Sequence, residues 1–480
     1  MDFMKLSFLL ILCALASFAG AAERPNVLFI AVDDLRPELA TYGAEVETPN
    51  LDRLAASGIR FDRAYCNQAV CGASRLSLMG GLYPSKTGEQ NYHVTNWRQR
   101  HPDLLTMNQH FQANGYHTLG TGKIYHGTNG GKIEGKNWDE WLDSGGEDYV
   151  LPESTAEMMK RRKANPDKDP KGFRGTTTES ADVPDETYKD GARAVAAAAK
   201  IGELVAGDEP FFFAVGFTKP HLPFIAPKRY WDLYERDSFS MPENRSWPPG
   251  YPDVARNVKA GEMSKYSDYE GESPVDFSDD LNRRLIHGYA ACVSYTDANI
   301  GKVLDALEAS GAADNTIVVF WGDHGWKLGD HSSWCKHTNF EVDTRVPLMM
   351  RVPGKETGVT EALVELIDLY PTLCELTGIP VPEHLQGESF VPLLSDLSAE
   401  HRSSAYSSYP HGKIMGHSIR MGAYRYTEWN DQTGKKTARV LTDLVVDPGE
   451  ESNLIQSENH TEALAKARAE LKRRVAEARK

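Results

Sequence analysis

Beyond its first 22 residues the chain has no long apolar run, so no other stretch is expected to enter a membrane. Basic charge is also short: 53 Lys and Arg stand against 68 Asp and Glu, a formal net charge of −15. Nucleic acid is held by basic surfaces, which excludes it as an expected partner; any anionic ligand must be held by a local cluster of cations. Cysteine is scarce, with six in 480 residues. No tandem repeat is present.

What the first residues do contain is a secretory signal, expected over residues 1–22. Lys5 precedes the apolar run Leu6 to Phe18, and Ala19-Gly20-Ala21 supplies small residues for cleavage after Ala21 or Ala22. The run is too short to span a membrane comfortably as a retained anchor. Cys13 follows Leu12 rather than a small residue, which argues against a lipoprotein site. Export would make the protein secreted or periplasmic. Loss of Cys13 leaves five cysteines, and an odd count in an exported chain flags a thiol with another task. If that thiol is Cys71, then Cys66, Cys292, Cys335 and Cys374 are left to pair or to stay buried.

Cys71 opens a stretch, Cys71-Gly72-Ala73-Ser74-Arg75, that reads as a loop entering a short helix closed by Gly80 and Gly81. At a helix N-terminus the unpaired N–H groups favour an anion, and Arg75 lies one turn further on. Upstream, Asn26 to Val32 is a continuous apolar run, the pattern of a strand buried on both faces of a sheet, and it ends in Asp33-Asp34. Two adjacent carboxylates beside an apolar core call for a counter-charge, for which a divalent cation is the economical solution. Thr316 to Trp321 repeats the pattern and ends in Asp323-His324. Ligands gather at the carboxyl ends of strands in open parallel sheets, so Asp33, Asp34, Asp323 and His324 are expected to converge on one ion. Two further strand ends present cations and imidazoles: Lys123 with His126, and Lys219 with His221. Lys336 is another candidate cation.

Between these points, helices are expected from Pro49 with Thr48 as cap and Gly58 past the end, at 105–114, at 188–205 and at 280–308. Residues 128–190 read as a long polar surface insertion, and residues 236–278 as a rim over the site. After Leu394 the composition shifts to short alternating runs, such as Tyr424 to Trp429 and Ala438 to Leu441, joined by Asn430 to Gly434. The expected organisation is a signal over 1–22, a catalytic domain over 23–396, and a C-terminal subdomain over 397–480 closed by a charged helix.

Cys71-Gly72-Ala73-Ser74-Arg75 resembles the maturation signature of the type I sulfatases, Cys-x-Pro/Ala-x-Arg. Within that family the chain is most similar to the iduronate-2-sulfatases, through Val32 to Pro37, Gln68 to Cys71, Lys219 to Phe224, and Lys413 to Arg420 with Tyr424 to Thr427. The resemblance implies an α/β, alkaline-phosphatase-like sandwich with a large mixed central sheet, plus a smaller C-terminal α+β subdomain. It implies a sulfated saccharide substrate, with a 2-O-sulfated uronic acid leading, and exo-acting removal of sulfate. It also implies Ca2+ and a separate maturase that oxidises Cys71 to formylglycine. Ala73 stands where the oxygen-dependent maturase prefers proline, and His324 where many sulfatases carry Asn.

In the chemistry so implied, Asp33, Asp34, Asp323 and His324 hold calcium together with residue 71, whose hydrated aldehyde is the nucleophile. Arg75, Lys123 and Lys336 neutralise the sulfuryl group in the transition state. His221, with Lys219 nearby, protonates the departing sugar oxygen, and His126 accepts the proton that releases sulfate. A uronate carboxylate suits a planar arginine, for which Arg98 beside Trp97, and Arg420 near His417, are the candidates. The alternatives are a phosphomonoester or phosphonate ester hydrolase of the same fold, and a silent glycan-binding protein if Cys71 is unconverted.

Overall fold

Strand β1 (Asn26–Val32) is apolar on both sides because it lies in the middle of a sheet covered on both faces. The computed structural model describes residues 24–90, 94, 96–127, 137–257, 262–269, 271 and 273–480, so the expected signal lies outside the described residues. The central sheet contains eight further strands: β2 (Ile59–Tyr65), β3 (His117–Gly122), β4 (Glu140–Trp141), β5 (Phe211–Phe217), β6 (Thr316–Gly322), β7 (Arg345–Arg351), β8 (Gly358–Thr360) and β9 (Val364–Glu365). They run in the order β8-β2-β7-β6-β1-β5-β3-β4, with β9 also beside β2.

Every pairing in this sheet is parallel except the two made by β7. The carboxyl ends of β1, β3, β5 and β6 therefore open on one edge, and the reversed strand β7 begins there. Val32 lies level with Phe217 on one side and Gly322 on the other, so Asp33, Thr218 and Asp323 emerge abreast.

The two-residue period of β1 divides the core. Leu28, Ile30 and Val32 enter one apolar layer with helices Pro49–Ala56, Lys189–Val205 and Asp279–Ala309. Val27, Phe29 and Ala31 enter the other with helices Cys71–Gly80, Met107–Ala113 and Leu369–Thr377. This is the expected α/β sandwich. Beyond it lies an antiparallel meander of β10 (Ala405–His411), β11 (Ile414–Met421), β12 (Tyr424–Asn430) and β13 (Lys436–Asp443). Helix Thr461–Glu477 packs Ala467 and Leu471 against its Tyr406, Ile419, Tyr426 and Leu441.

Local expectations differ from the structure in three places. Thr48 stands at the cap of Pro49–Ala56, but its hydroxyl accepts from the Ala40 N–H at 3.0 Å. The helix end is instead capped by Asp297, which accepts from the N–H groups of Asn50 and Leu51 at 3.2 and 2.8 Å. Helix 105–114 begins at Met107, where the Gln109 side chain turns back to the Thr106 N–H. The described part of 128–190 is also more than a surface insertion. It contains helix Pro152–Ala164, and its Thr178–Ala181 pairs with Phe224–Pro227, the strand that follows the His221 loop. Its carboxylates serve the fold, since buried Glu179 accepts from the N–H groups of Val150 and Leu151. The five described cysteines are all buried and unpaired, and no helix among the described residues is long and apolar enough to cross a membrane.

One buried carboxylate ties the C-terminal elements to the catalytic layer. Glu365, fully buried at the end of β9, accepts from Asn67 Nδ2 at 2.9 Å, the Tyr83 hydroxyl at 2.5 Å and the Tyr406 N–H at 2.7 Å, and it pairs with Arg474. Those groups come from the loop before Cys71, the segment after its helix, β10 and the last helix. Replacing Glu365 with Ala would strand a buried guanidinium. We expect Glu365→Ala to lower unfolding stability by about 3–5 kcal/mol in urea titration; a loss below about 1 kcal/mol would show that this contact is not the tie.

Candidate active site

The chain reverses at Asp34, whose φ of 58° lies in the left-handed region, unusual for a residue with a side chain and a mark of functional loops. Two contacts fix this turn. The Asp34 N–H donates to Asp323 Oδ1 at 3.0 Å, and the Tyr289 hydroxyl donates to the Asp34 carbonyl at 2.8 Å. The register of β1 and β6 then sets Asp33, Asp34, Asp323 and His324 side by side, all with 0% exposure.

Helix Cys71–Gly80 brings its first residue to this cluster. Cys71 Sγ lies 3.3 Å from His324 Nε2 and 3.9 Å from Asp34 Oδ1. His324 Nδ1 faces the Gly325 carbonyl at 2.9 Å, so the proton belongs on Nδ1 and the Nε2 lone pair turns inward. One donor atom each from Asp33, Cys71, Asp323 and His324 lie within 4.8 Å of one another, and a second such group joins Asp33, Asp34 and His221. A buried, oxygen-rich set with one oriented imidazole fits a hard divalent cation.

Three cations face the three carboxylates. Arg75, with 0% exposure, donates from Nε to Asp323 at 2.7 Å, reaches Asp33 at 3.4 Å, and lies 5.4 Å from the Trp321 ring centre. Lys123 pairs with Asp33. Lys336 donates to Asp34 at 2.8 Å over the Trp326 ring. Burial works to raise Asp33, but the Lys123 ammonium, followed by His221, Arg75 and Lys336, holds it well below the usual carboxylate range. Burial prevails at Asp34, whose pKa is raised despite His221 and Lys336. Three positive groups balance three carboxylates; a divalent ion added to the set would leave a net charge near +2, suited to a bound anion.

The thiol itself is pushed well up, by burial first and then by Asp33, so it stays protonated and is a poor nucleophile as cysteine. His126 is lowered to about 3, by burial and then by Lys123, and is a neutral imidazole at neutral pH. His221 has oxygens at both ring nitrogens, the Leu222 carbonyl at 2.5 Å and Glu262 at 3.3 Å. Lys219 does not face the cluster. Its ammonium donates to the carbonyls of His221 and Pro223, shaping the loop that presents His221. A cleft of about 1150 Å³ reaches Lys123, His126, Lys219 and His221, with Tyr149, Arg162 and Arg174 along its wall.

None of Trp97, Arg98, His417 and Arg420 lines that cleft. Trp97 is buried and stacks on Tyr125 at 5.7 Å, supporting the segment that carries His126. Arg98 lies over Trp97 and donates to the Leu104 carbonyl and to Gln109. His417 faces the Tyr406 hydroxyl at 2.7 Å. Arg420 donates to the carbonyls of Gly422 and Tyr424. Arg98 thus has both terminal nitrogens engaged and Arg420 bonds through Nη1 alone; both lie off the cleft wall, away from the carboxylate contact expected of them.

Sequence reasoning missed Glu262, which joins the site by contacting Lys336 at 3.1 Å as well as His221. It lies in the Pro- and Gly-rich rim, where no periodicity singles out one carboxylate. Strain was equally invisible: His331, Ser332, Cys335 and His337 all have positive φ in the loop that delivers Lys336.

The family model named Sulfatase matches residues 25–379, and that of the N-sulphoglucosamine sulphohydrolase C-terminal region matches residues 329–479. Iduronate 2-sulfatase of Mus musculus is 33% identical over 88% of this chain and 88% of its own. A solved structure of a protein in complex with its substrate D-glucosamine-2-N,6-O-disulfate superposes with a TM-score of 0.73 at 22% identity, covering 95% of this chain and 98% of that one. The phosphonate monoester hydrolase of Agrobacterium radiobacter has a TM-score of 0.71 at 23% identity over 95% and 96% of the two chains, so the fold alone is shared with a second chemistry.

Proposed function

Because this chain belongs to the sulfatase family and is a sulfuric ester hydrolase, we propose that it removes sulfate from a saccharide, with a 2-O-sulfated uronic acid as the leading substrate. The observation that carries this is the convergence of Cys71 with Asp33, Asp34, Asp323 and His324 inside a ring of Arg75, Lys123 and Lys336. Those four ligands, with residue 71, would hold calcium, and formylglycine at position 71 would supply the nucleophilic hydroxyl that a buried, protonated thiol cannot.

Around that centre the chain's own side chains divide the work. Arg75, Lys123 and Lys336 orient the sulfuryl oxygens and stabilise charge developing on them, without the reorganisation that water would require. His221, held by Leu222 and Glu262, is poised to donate a proton to the leaving sugar oxygen. His126, neutral because it is buried beside Lys123, is ready to accept a proton when sulfate is released. Trp97 and Lys219 are positioning residues for these two imidazoles. Cys71 is 2% exposed, so a maturase would have to reach it before the chain folds, in keeping with conversion during export.

The uronate assignment rests on similarity to iduronate 2-sulfatase. With Arg98 and Arg420 off the cleft wall, the carboxylate would fall to a planar cation on that wall, Arg174 being the candidate because Arg162 donates to the carbonyls of Pro170 and Phe173. Activity on defined sulfated mono- and disaccharides decides this. Turnover confined to 6-sulfated hexosamine or sulfated galactose would overturn the uronate while leaving the sulfatase chemistry intact.

Three outcomes are expected of the machinery. Intact mass should show residue 71 with one oxygen in place of its sulfur and two fewer hydrogens, and Cys71→Ala should fold, bind substrate and release no sulfate; normal turnover by that variant would sink the proposal. One calcium per chain should be found, and calcium at a hundredfold excess over its Kd should stabilise the fold by about 2.7 kcal/mol, an effect lost in Asp34→Ala. Two zinc ions per chain would favour a phosphoester hydrolase instead. His126→Ala should lower kcat by about 10²- to 10⁴-fold with little change in KM, whereas a change in KM alone would make His126 a binding residue.

A further inference from the structure

The chain is acidic overall, yet one face of its last helix is basic. Residues 461–480 contain seven Lys and Arg against three Glu. At 100° per residue, Ala465, Arg468, Ala469, Lys472 and Val475 fall on one stripe with Arg479 just past the helix end, while Glu462 stands at its edge and Glu470 and Glu477 on another face. There they are neutralised, Glu462 by Lys466 and the other two by Arg473.

That stripe forms one wall of a groove of about 1090 Å³, whose other wall is the β11–β13 face and whose lip carries Lys413. The groove has two carboxylates of its own, and both are engaged. Glu428 pairs with Lys436 and accepts from the Tyr426 hydroxyl. Asp431 accepts from the Thr433 and Lys435 N–H groups within its own turn. Arg468 lies 4.0 Å from Glu428 and is half exposed. Lys413, Lys472 and Arg479 are exposed and have no ion-pair partner among the described residues. No residue is shared between this groove and the cleft at His126 and His221.

We infer that this groove is a second binding site, for a sulfated polysaccharide chain, distinct from the cleft in which sulfate is removed. The inference rests on the saccharide reading proposed above. Arg468 and Lys472 are about 6 Å apart along the helix and Arg479 follows two residues past its end, a row of cations able to follow negative groups along a polymer. Among the described residues the groove's one ring is His417, buried against Tyr406. Single-stranded nucleic acid is held largely by base stacking on exposed rings, so a polymer read by charge alone fits better. Holding the chain here would raise the local concentration of its ends at the cleft.

The test uses the full chain carrying Cys71→Ala, titrated with a size-defined heparin fragment over a series of salt concentrations. The combined variant Arg468→Glu, Lys472→Glu and Arg479→Glu should weaken binding at least about tenfold and reduce the salt slope by about 3, with an unchanged melting temperature. In the catalytic background the same three changes should leave kcat/KM on a sulfated disaccharide unaltered and lower it on the polymer. Unchanged heparin affinity and salt slope would overturn the groove. Equal or tighter binding of a single-stranded DNA of matching charge would overturn the polysaccharide assignment. Failure to release sulfate from any saccharide would remove the function proposed above, an outcome separable from the groove because binding is measured in the inactive chain.

Discussion

The structure depends on a charge balance that only works when complete: three aspartates and three cations at the carboxyl edge of one sheet, all at zero exposure but the part-buried Lys123. An isolated carboxylate in such a place is expensive enough that it would take up a proton, as the raised Asp34 indicates. Asp33 stays ionised because Lys123, from the end of β3, and Arg75, from the helix that begins at Cys71, come to meet it. The balance is therefore a product of topology. Residues 33, 75, 123, 323 and 336 are scattered in sequence, and parallel pairing with a single reversed strand brings them to one point.

The same constraint explains why the elements around the site are rigid. A cluster whose members neutralise one another tolerates little displacement, since at low dielectric a change of an ångström alters each Coulomb contact appreciably. Asp34 is kept in an unfavourable backbone conformation by Asp323 and Tyr289. His324 is locked by the Gly325 carbonyl, and the His221 ring by the Leu222 carbonyl. Glu365 extends this fixing outward, since one of its donors, Asn67, belongs to the loop that enters the Cys71 helix and another, Arg474, to the last helix. The C-terminal elements thus hold the Cys71 loop from behind as well as carrying a surface of their own.

Much of this was legible in the sequence, because strands buried on both faces announce themselves as apolar runs and their terminal residues are then conspicuous. Asp33-Asp34 and Asp323-His324 were readable for that reason, and the alternation of Tyr424 to Trp429 marked the meander. What could not be read depends on partners distant in sequence. Thr48 has the residue type of a helix cap, but Asp297 occupies the helix end, and no local rule anticipates a cap delivered by another helix. Arg98 and Arg420 have the right chemistry for a carboxylate, yet both lie off the cleft wall, Arg98 bonded to a carbonyl and an amide and Arg420 to two carbonyls through Nη1. In residues 137–190 several polar groups, among them Glu179, Asp185 and Asp190, are buried and paired within the fold, and composition cannot distinguish that from a solvated loop.

An acidic protein that handles anions has to solve a problem of scale. At physiological ionic strength a charge is felt over about 8 Å, so the net charge of −15 does not decide what happens inside a cleft. Within that distance of the carboxylate cluster lie Arg75, Lys123, Lys336 and His221, and solvent exclusion strengthens each of them. The net negative charge keeps weakly bound polyanions off the surface at large, which leaves anion binding to the few places where cations lack carboxylate partners. Pairing acids with bases elsewhere, as along the outer faces of the last helix, is what makes those places distinct. Selectivity for an anionic substrate on such a chain follows from where its charges are left unpaired, and not from their sum.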